Sequence, residues 1–554
     1  MPSTGPSKPL ILHPTEKVWS IPDIHRLRKE VLSKTWEQTL DRVNVLGDNR
    51  EYGHAGCVNA LSWAREGEML LSAGDDTTVQ IWRMDPGNVT KDYPFICRSV
   101  IHTGHRANIF NAQMLPYSSR IVTVAGDREV RVFDIDMPSK YGLDRNEYSS
   151  GQCKTHTFSC HKDRVKRIVT EESPNTFLTV SEDGTVRQHD LRTPHRCRAA
   201  CPTPILHVKH DLSTLAMSPL TPYHIVVAGS SPYGYLFDRR YTGRDIQEEK
   251  GMASDGLTTC IRRFGQSGKE ENATQAYVAG DHITGARMSS ENGHEVLLSY
   301  SGDGVYLFST LDDPTSPSDI SNSGKTKTLL KSKCRKKSGD IDQLLAYSEG
   351  SSDLDPDEEI LPLLEYSEEN DEDEEDEGGQ DEDEDEDDDD MDMDARPEDM
   401  YQPGIPVVKP RRRYAGARNI NTVKDVNFLG PFDEYVTSGS DDGNLFIWRK
   451  STGELHGIYE GDGSVVNVIE PHPYLPLVAV SGIDYTVKLF APTNRASDFS
   501  RIYDAEGIIQ RNAERPTDYP AIRRIDLVSL LASMRAASAG GGQLGEEAAD
   551  CVNQ

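Results

Sequence analysis

Residues 422–449, TVKDVNFLGPFDEYVTSGSDDGNLFIWR, decide how the rest of the chain is read. Apolar and polar residues alternate through Val423, Val426 and Phe428, break at Gly430-Pro431, and alternate again through Tyr435 and Val436. Ser440-Asp441-Asp442-Gly443 follows, then Leu445-Phe446-Ile447-Trp448. A period of two over short runs bounded by Gly, Pro and Asp is the pattern of antiparallel strands, because successive side chains of a strand point to opposite faces. Asp442-Gly443 suits a tight turn, since glycine reaches positive φ without steric cost. The stretch therefore reads as three strands of one small sheet that closes on an aromatic residue.

Working outward, the same order recurs. Gly53-His54 leads to VNALSW (58–63), LLSA (70–73), the turn Gly74-Asp75-Asp76 and Ile81-Trp82. Gly104-His105 leads to IFNA (109–112), IVTV (121–124), Gly126-Asp127 and Val132-Phe133-Asp134. A third copy opens at His161 and ends SEDGTVRQHDLR (181–192), and a fourth has IVVAG (225–229) and YLFDRR (235–240). A fifth has Ile283-Thr284, VLLSY (296–300), the turn SGDG (301–304) and YLF (306–308). Residues 422–449 are the sixth, and the seventh runs VVNVI (465–469), LVAVSG (477–482) and VKLF (487–490). The closing positions Trp82, Phe133, His189, Phe237, Phe308, Trp448 and Phe490 fall at intervals of 51, 56, 48, 71, 140 and 42 residues. Repeats of about 40–45 residues built of short strands are the WD-repeat pattern, and seven copies lie within the ~4–8 blades of a propeller. The predicted fold is all-β: a seven-bladed WD-repeat β-propeller with an N-terminal helix. The longest interval implies a long disordered acidic insertion between blades five and six.

Residues 1–22 hold several prolines and read as a flexible tail. Asp23 can cap a helix over 23–39 whose apolar set is Ile24, Leu27, Val31, Leu32 and Trp36, interleaved with Arg26, Arg28 and Lys29. Such a helix either lies on the propeller or offers a face to a partner. LDRVNVL (40–46) alternates as a strand. It is expected as the outer strand of the last blade, so that the two ends of the chain close the ring and remove exposed sheet edges. The remaining boundaries place blades one to five at 40–310, the insertion at 311–413, blades six and seven at 414–493, and a tail at 494–554 with a short helix at 525–534.

The net charge of −31 is concentrated in the insertion: residues 353–399 carry 29 acidic residues and one basic residue, leaving 62 acidic against 59 basic residues elsewhere. Self-repulsion and few apolar groups predict disorder there. The near-neutral remainder argues against direct nucleic-acid binding. The acidic run reads as a solvating spacer or as a site for basic proteins such as histones. The basic residues of 331–337, with Lys409, Arg411, Arg412 and Arg413, are candidates for a nuclear-import signal. Nine cysteines without a C-x-x-C pair, and a start unlike a signal peptide, read as reduced thiols. No run approaches the ~18 apolar residues of a membrane span. Nucleus and/or cytoplasm is the expected location, with no membrane association.

His54 with Ser72 and Asp76, and His105 with Thr123 and Asp127, look catalytic, but their repetition points to hydrogen bonds that fix turns, since a catalytic group would be singular. There is no P-loop, zinc spacing or G-x-S-x-G. His156, Cys160 and His161 suggest a metal, yet Cys160-His161 takes the usual Gly-His place of a blade. The expectation is no enzyme, no cofactor and no metal. Two blade ends stand apart, Asp190-Leu191-Arg192 and Asp238-Arg239-Arg240. An aspartate two residues before an arginine can pin its guanidinium and present it outward, and arginine is enriched at interface hot spots.

The D-x-R pair at successive blade ends resembles the double box of WD-repeat receptors that dock on the DDB adaptor of cullin-4 ubiquitin ligases, a family of DDB-and-cullin-associated factors. GHAGCVNAL, TGHRANIF, EDGTVRQHDLR, VNFLGPFDEYVTSGSDDGNLFIW and VVNVIEPHPYLPLVAVSGIDYTVKLFAPT resemble its nuclear-receptor-interacting-protein-like subfamily, which also interrupts the propeller between blades five and six. The likeness covers residues 40–493 apart from the insertion. The family's box is W-D-x-R or F-D-x-R. Phe237-Asp238-Arg239-Arg240 fits it, while blade three carries His189 at the aromatic place. The resemblance implies a substrate receptor whose adaptor-binding residues are Asp190, Arg192, Asp238 and Arg240. A helix before the first blade completes that contact in the family, which points here to Leu27 and Val31. The opposite face would then hold a protein substrate. The alternative is a chromatin or histone-binding scaffold acting through the acidic loop.

Overall fold

The structure is a computed structural model that describes residues 21–48, 53–85, 87–89, 92–135, 145–195, 197, 201–242, 257–266, 282–314, 402, 405–420 and 422–514. Seven sheets form the blades of a propeller. In each, four strands run antiparallel from the centre outward, and the first strand of each blade packs on that of the next, with blade seven returning to blade one. Residues 422–449 build blade six from Val426–Leu429, Tyr435–Gly439 and Asn444–Arg449, with Leu455–Glu460 outermost. The turn between its second and third strands needs glycine. Gly443 has φ +77°, and a Cβ there would lie 2.6 Å from the Asp462 carbonyl oxygen.

All seven closing positions are buried in third strands. They fill the seams between blades, as where Phe133 meets Ile81, Ile109 and Ile121. Each fully buried Leu, Ile or Phe contributes about 1.5–3 kcal/mol over leaving it in water, so the seams hold the ring. Thr39–Leu46 pairs along Val487–Thr493, from Thr39 opposite Thr493 to Leu46 opposite Val487. Residues from both ends of the propeller thus share blade seven, as the alternation at 40–46 predicts.

Three boundaries differ from expectation. The N-terminal helix is Ile21–Thr35, and the chain is already a strand at Thr39. It stops early because Trp36 turns into the core beside Leu40, Leu429 and Phe490, where its carbonyl accepts a bond from His456 Nε2 (3.1 Å). The chain leaves blade five after Val305–Ser309 and returns not in blade six but in two short strands. Val407–Val408 lies parallel to Arg262–Phe264 on blade four, and Arg412–Tyr414 is the outer strand of blade five. The expected span 311–413 is therefore too long, and the inserted residues separate two strands of one sheet. Charge misled the reading. Arg411 pairs with Asp312 (2.6 Å), Arg413 pairs with Asp303, and Tyr414 is buried, so this basic run is a strand edge rather than part of the insertion, while 331–337 lie outside the described residues. Residues 315–401, which hold the acidic run, and the helix expected at 525–534 lie outside the described residues. A different helix, Ala505–Ala513, buries Ile508 against Phe446 and Trp448.

Candidate docking face

In every blade the first and third strands point the same way, so the connections that follow them open on one face of the ring. The helix Ile21–Thr35 lies on this face. Lys29 Nζ reaches Glu291 after the first strand of blade five (2.6 Å) and sits 5.3 Å over the Phe432 ring of blade six. Leu32 packs inward, while Leu27 and Val31, one turn apart, are 47% and 59% exposed. Among the described residues, 14 large apolar side chains are exposed. Eleven of them belong to this helix or to this set of connections: Leu27, Val31, Met84, Val89, Tyr117, Leu220, Tyr241, Ile261, Leu311, Phe432 and Tyr474. Only Ile420 belongs to the connections of the opposite face. The exposed apolar groups therefore lie mostly on one face of the ring.

The two arginines lie on the same face, just past the third strands of blades three and four. Arg192 donates from Nε and Nη2 to the two carboxylate oxygens of Asp190 (2.9 and 2.8 Å), and its backbone N–H bonds the same carboxylate (2.9 Å). Arg240 repeats this on Asp238, with Nε at 2.9 Å and Nη2 at 2.5 Å. The guanidinium of Arg240 also stacks on Tyr223, 4.2 Å from the ring centroid. The Arg192 hydrogen bonds hold Asp190 down at about 2, and Arg240 lowers Asp238 likewise. The arginine side chains remain 67% and 60% exposed. Two planar cations are thus fixed in orientation, with their outer edges open to a partner.

Glu171 couples the two blade ends. Its carboxylate accepts from Arg239 Nη1 of blade four (2.6 Å) and from Gln188 Nε2 of blade three (3.3 Å). Sequence reading missed Glu171 and Tyr223, because nothing in their spacing ties them to the D-x-R pair, and it gave Arg239, the middle residue of that motif, no role. It also grouped Cys160 with His156 and His161. In the structure His161 bonds Asp183 (3.0 Å), His156 stacks near Phe158, and Cys160 instead meets His195, Cys197 and Cys201. The available signal was H-x-C-x-x-x-C at 195–201.

The recurrent His–Ser/Thr–Asp sets are internal bolts. His54 bonds Asp76 (2.9 Å) and accepts from Ser72 (2.7 Å), and Ser72 accepts from the Trp82 indole N–H (2.8 Å). Burial pushes the Asp76 carboxyl up, but the His54 bond and two backbone N–H groups outweigh it and hold the group at about 2. Blade three repeats the chain with His189 in place of the aromatic: His161 bonds Thr179 (2.8 Å), and His189 Nε2–H donates to Thr179 (2.9 Å). The imidazole supplies the same N–H as an indole, which is why histidine can close this blade. Burial lowers its pKa to about 3, so it is neutral.

The family model for the WD domain, G-beta repeat, matches residues 48–83, 152–190 and 409–449. The chain carries WD repeats. This WD-repeat chain is 36% identical over 270 residues to WD repeat protein iqw1 of Schizosaccharomyces pombe, covering 47% of this chain and 32% of that one. It is 26% identical over 614 residues to the human WD and tetratricopeptide repeats protein 1, covering 84% of this chain and 87% of that one. It is 32% identical over 265 residues to the mouse DDB1- and CUL4-associated factor 6, covering 47% of this chain and 27% of that one. The first and last of these likenesses thus span about a third or less of the relative's length. Among the described residues, no helix is long and apolar enough to cross a membrane.

Proposed function

We propose that this chain is a non-catalytic substrate receptor that docks on the DDB adaptor of a cullin-4 RING ubiquitin ligase and presents a bound protein for ubiquitination. The observation that carries the reading is the paired, bidentately held and outward-facing arginines of adjacent blades, Arg192 and Arg240, on the same face as Leu27 and Val31. The gathering of exposed apolar side chains on that face supports it, as does likeness to a protein whose name records association with DDB1 and CUL4. The opposite face is left for substrate. The receptor then accelerates transfer by raising the substrate's local concentration at a ligase carried by other subunits.

Affinity purification from cells tests the reading. Wild type should recover the adaptor and the cullin, and Arg192→Ala with Arg240→Ala should lose both at unchanged expression. Recovery of basic proteins alone, abolished by deleting residues 353–399, would make the chain a scaffold instead.

A further inference from the structure

Blade three has the shortest outer strand of the seven, Leu206–His207, paired only through Thr185–His207 and Val186–Leu206. Little ladder holds the connection that leads to it from Asp190 and Arg192. That connection supplies His195, Cys197 and Cys201, and Cys160 comes in from the end of the outer strand of blade two, Lys154–Phe158. The four ligand atoms lie within 4.8 Å of one another. Cys160 Sγ is 3.2 Å from His195 Nε2 and 3.7 Å from Cys197 Sγ, and His195 Nε2 is 3.1 Å from Cys197 Sγ.

We propose that Cys160, His195, Cys197 and Cys201 bind one zinc ion in a closed tetrahedral site. Zinc–sulfur and zinc–nitrogen bonds of about 2.3 and 2.0 Å make tetrahedral edges of about 3.8 Å between sulfurs and about 3.5 Å between sulfur and nitrogen. The observed separations lie close to these. The sulfur pair is far from the ~2.05 Å of a disulfide. Three sulfurs and an imidazole are a soft set that selects zinc, and four protein ligands leave no open position, so the site is structural. A second observation points the same way: the backbone N–H of Ser159 donates to Cys197 Sγ (3.2 Å), the support a zinc-bound thiolate receives from its surroundings. On binding, three thiols release their protons to solvent, and the ion takes three thiolates and a neutral imidazole.

The ion clips blade three to the exit of blade two where strand pairing is missing. Arg187 Nη1 extends the anchor by donating to the Pro202 carbonyl (2.7 Å), directly after Cys201. Arg192 lies three residues before His195, so the clip fixes the corner that carries it. The zinc site does not depend on the adaptor proposal.

The test is elemental analysis of the full chain, purified through a tag without histidine. One zinc per chain is expected, with Cys197→Ser/Cys201→Ser losing it. Because that variant can fail to fold, wild type is also exchanged with cobalt, which should show the visible bands of a tetrahedral thiolate complex. Wild type without zinc that takes up no cobalt would overturn the proposal, as would a Cys160–Cys197 disulfide in the unreduced protein or full zinc in the double variant.

Discussion

Asp238 holds Arg240 by two hydrogen bonds to its guanidinium while Tyr223 supports the plane from below at 4.2 Å. The cation is therefore pre-oriented, and a partner's carboxylate or carbonyl meets a group that has little freedom left to lose. Arg240→Lys keeps the charge and loses the planar fork. It is expected to weaken adaptor binding by about tenfold, and Arg240→Ala by about 30-fold or more, as for a hot spot of ~2 kcal/mol. Surface plasmon resonance with purified adaptor reads both. Equal binding by the lysine variant and wild type would show that charge alone matters.

Glu171 links the two arginine-bearing blade ends through Arg239 and Gln188. Glu171→Ala should therefore lower adaptor affinity by a few-fold through a faster off-rate. In a double-mutant cycle with Arg239→Ala the two losses should not add, because each removes the same link. Full additivity would mean that the ion pair plays no positioning part.

His189 makes blade three sensitive to acid. The unfolded chain takes up a proton there below about pH 6.5, the folded chain only near pH 3. Between those values the unfolded state binds more protons, so stability is fully present above about 6.5 and declines as pH falls, by up to ~1.4 kcal/mol per unit from this group. His189→Trp, which restores the indole N–H seen in blade one, is expected to flatten the dependence of the urea midpoint between pH 6.5 and 4. Parallel curves for variant and wild type would contradict the assignment.

Across the central channel, Arg167 of blade three pairs with Asp425 of blade six at 2.5 and 3.1 Å, both largely buried. Asp425→Ala leaves a buried guanidinium without its partner, since the nearby Glu470 is engaged by Arg287 (2.6 Å). The expected cost is about 3–5 kcal/mol, and Arg167→Met with Asp425→Leu should recover most of it. Chemical denaturation of the three proteins checks this. A small effect of the single variant would mean that water reaches the pair.

The ring was legible because its signals are local and repeated. Alternation around Val436 and Leu445, the Gly443 turn and a buried aromatic per blade are each short-range, and the strand at 40–46 announced its own pairing with the last blade. The arginine pair was legible because Asp and Arg are two residues apart. What escaped depends on contacts distant in sequence. Glu171 meets Arg239 across 68 positions, and Cys160 meets His195 across 35. The strand Arg412–Tyr414 was hidden by its charge, since the neutralising Asp303 and Asp312 lie some 100 residues upstream.

Direct binding of the purified chain to the purified adaptor, by isothermal titration calorimetry, tests the docking claim most simply. Wild type should bind with one-to-one stoichiometry, and Arg192→Ala/Arg240→Ala should bind at least 100-fold more weakly with an unchanged melting temperature. Wild type that fails to bind, or a double variant that binds as tightly, would contradict it.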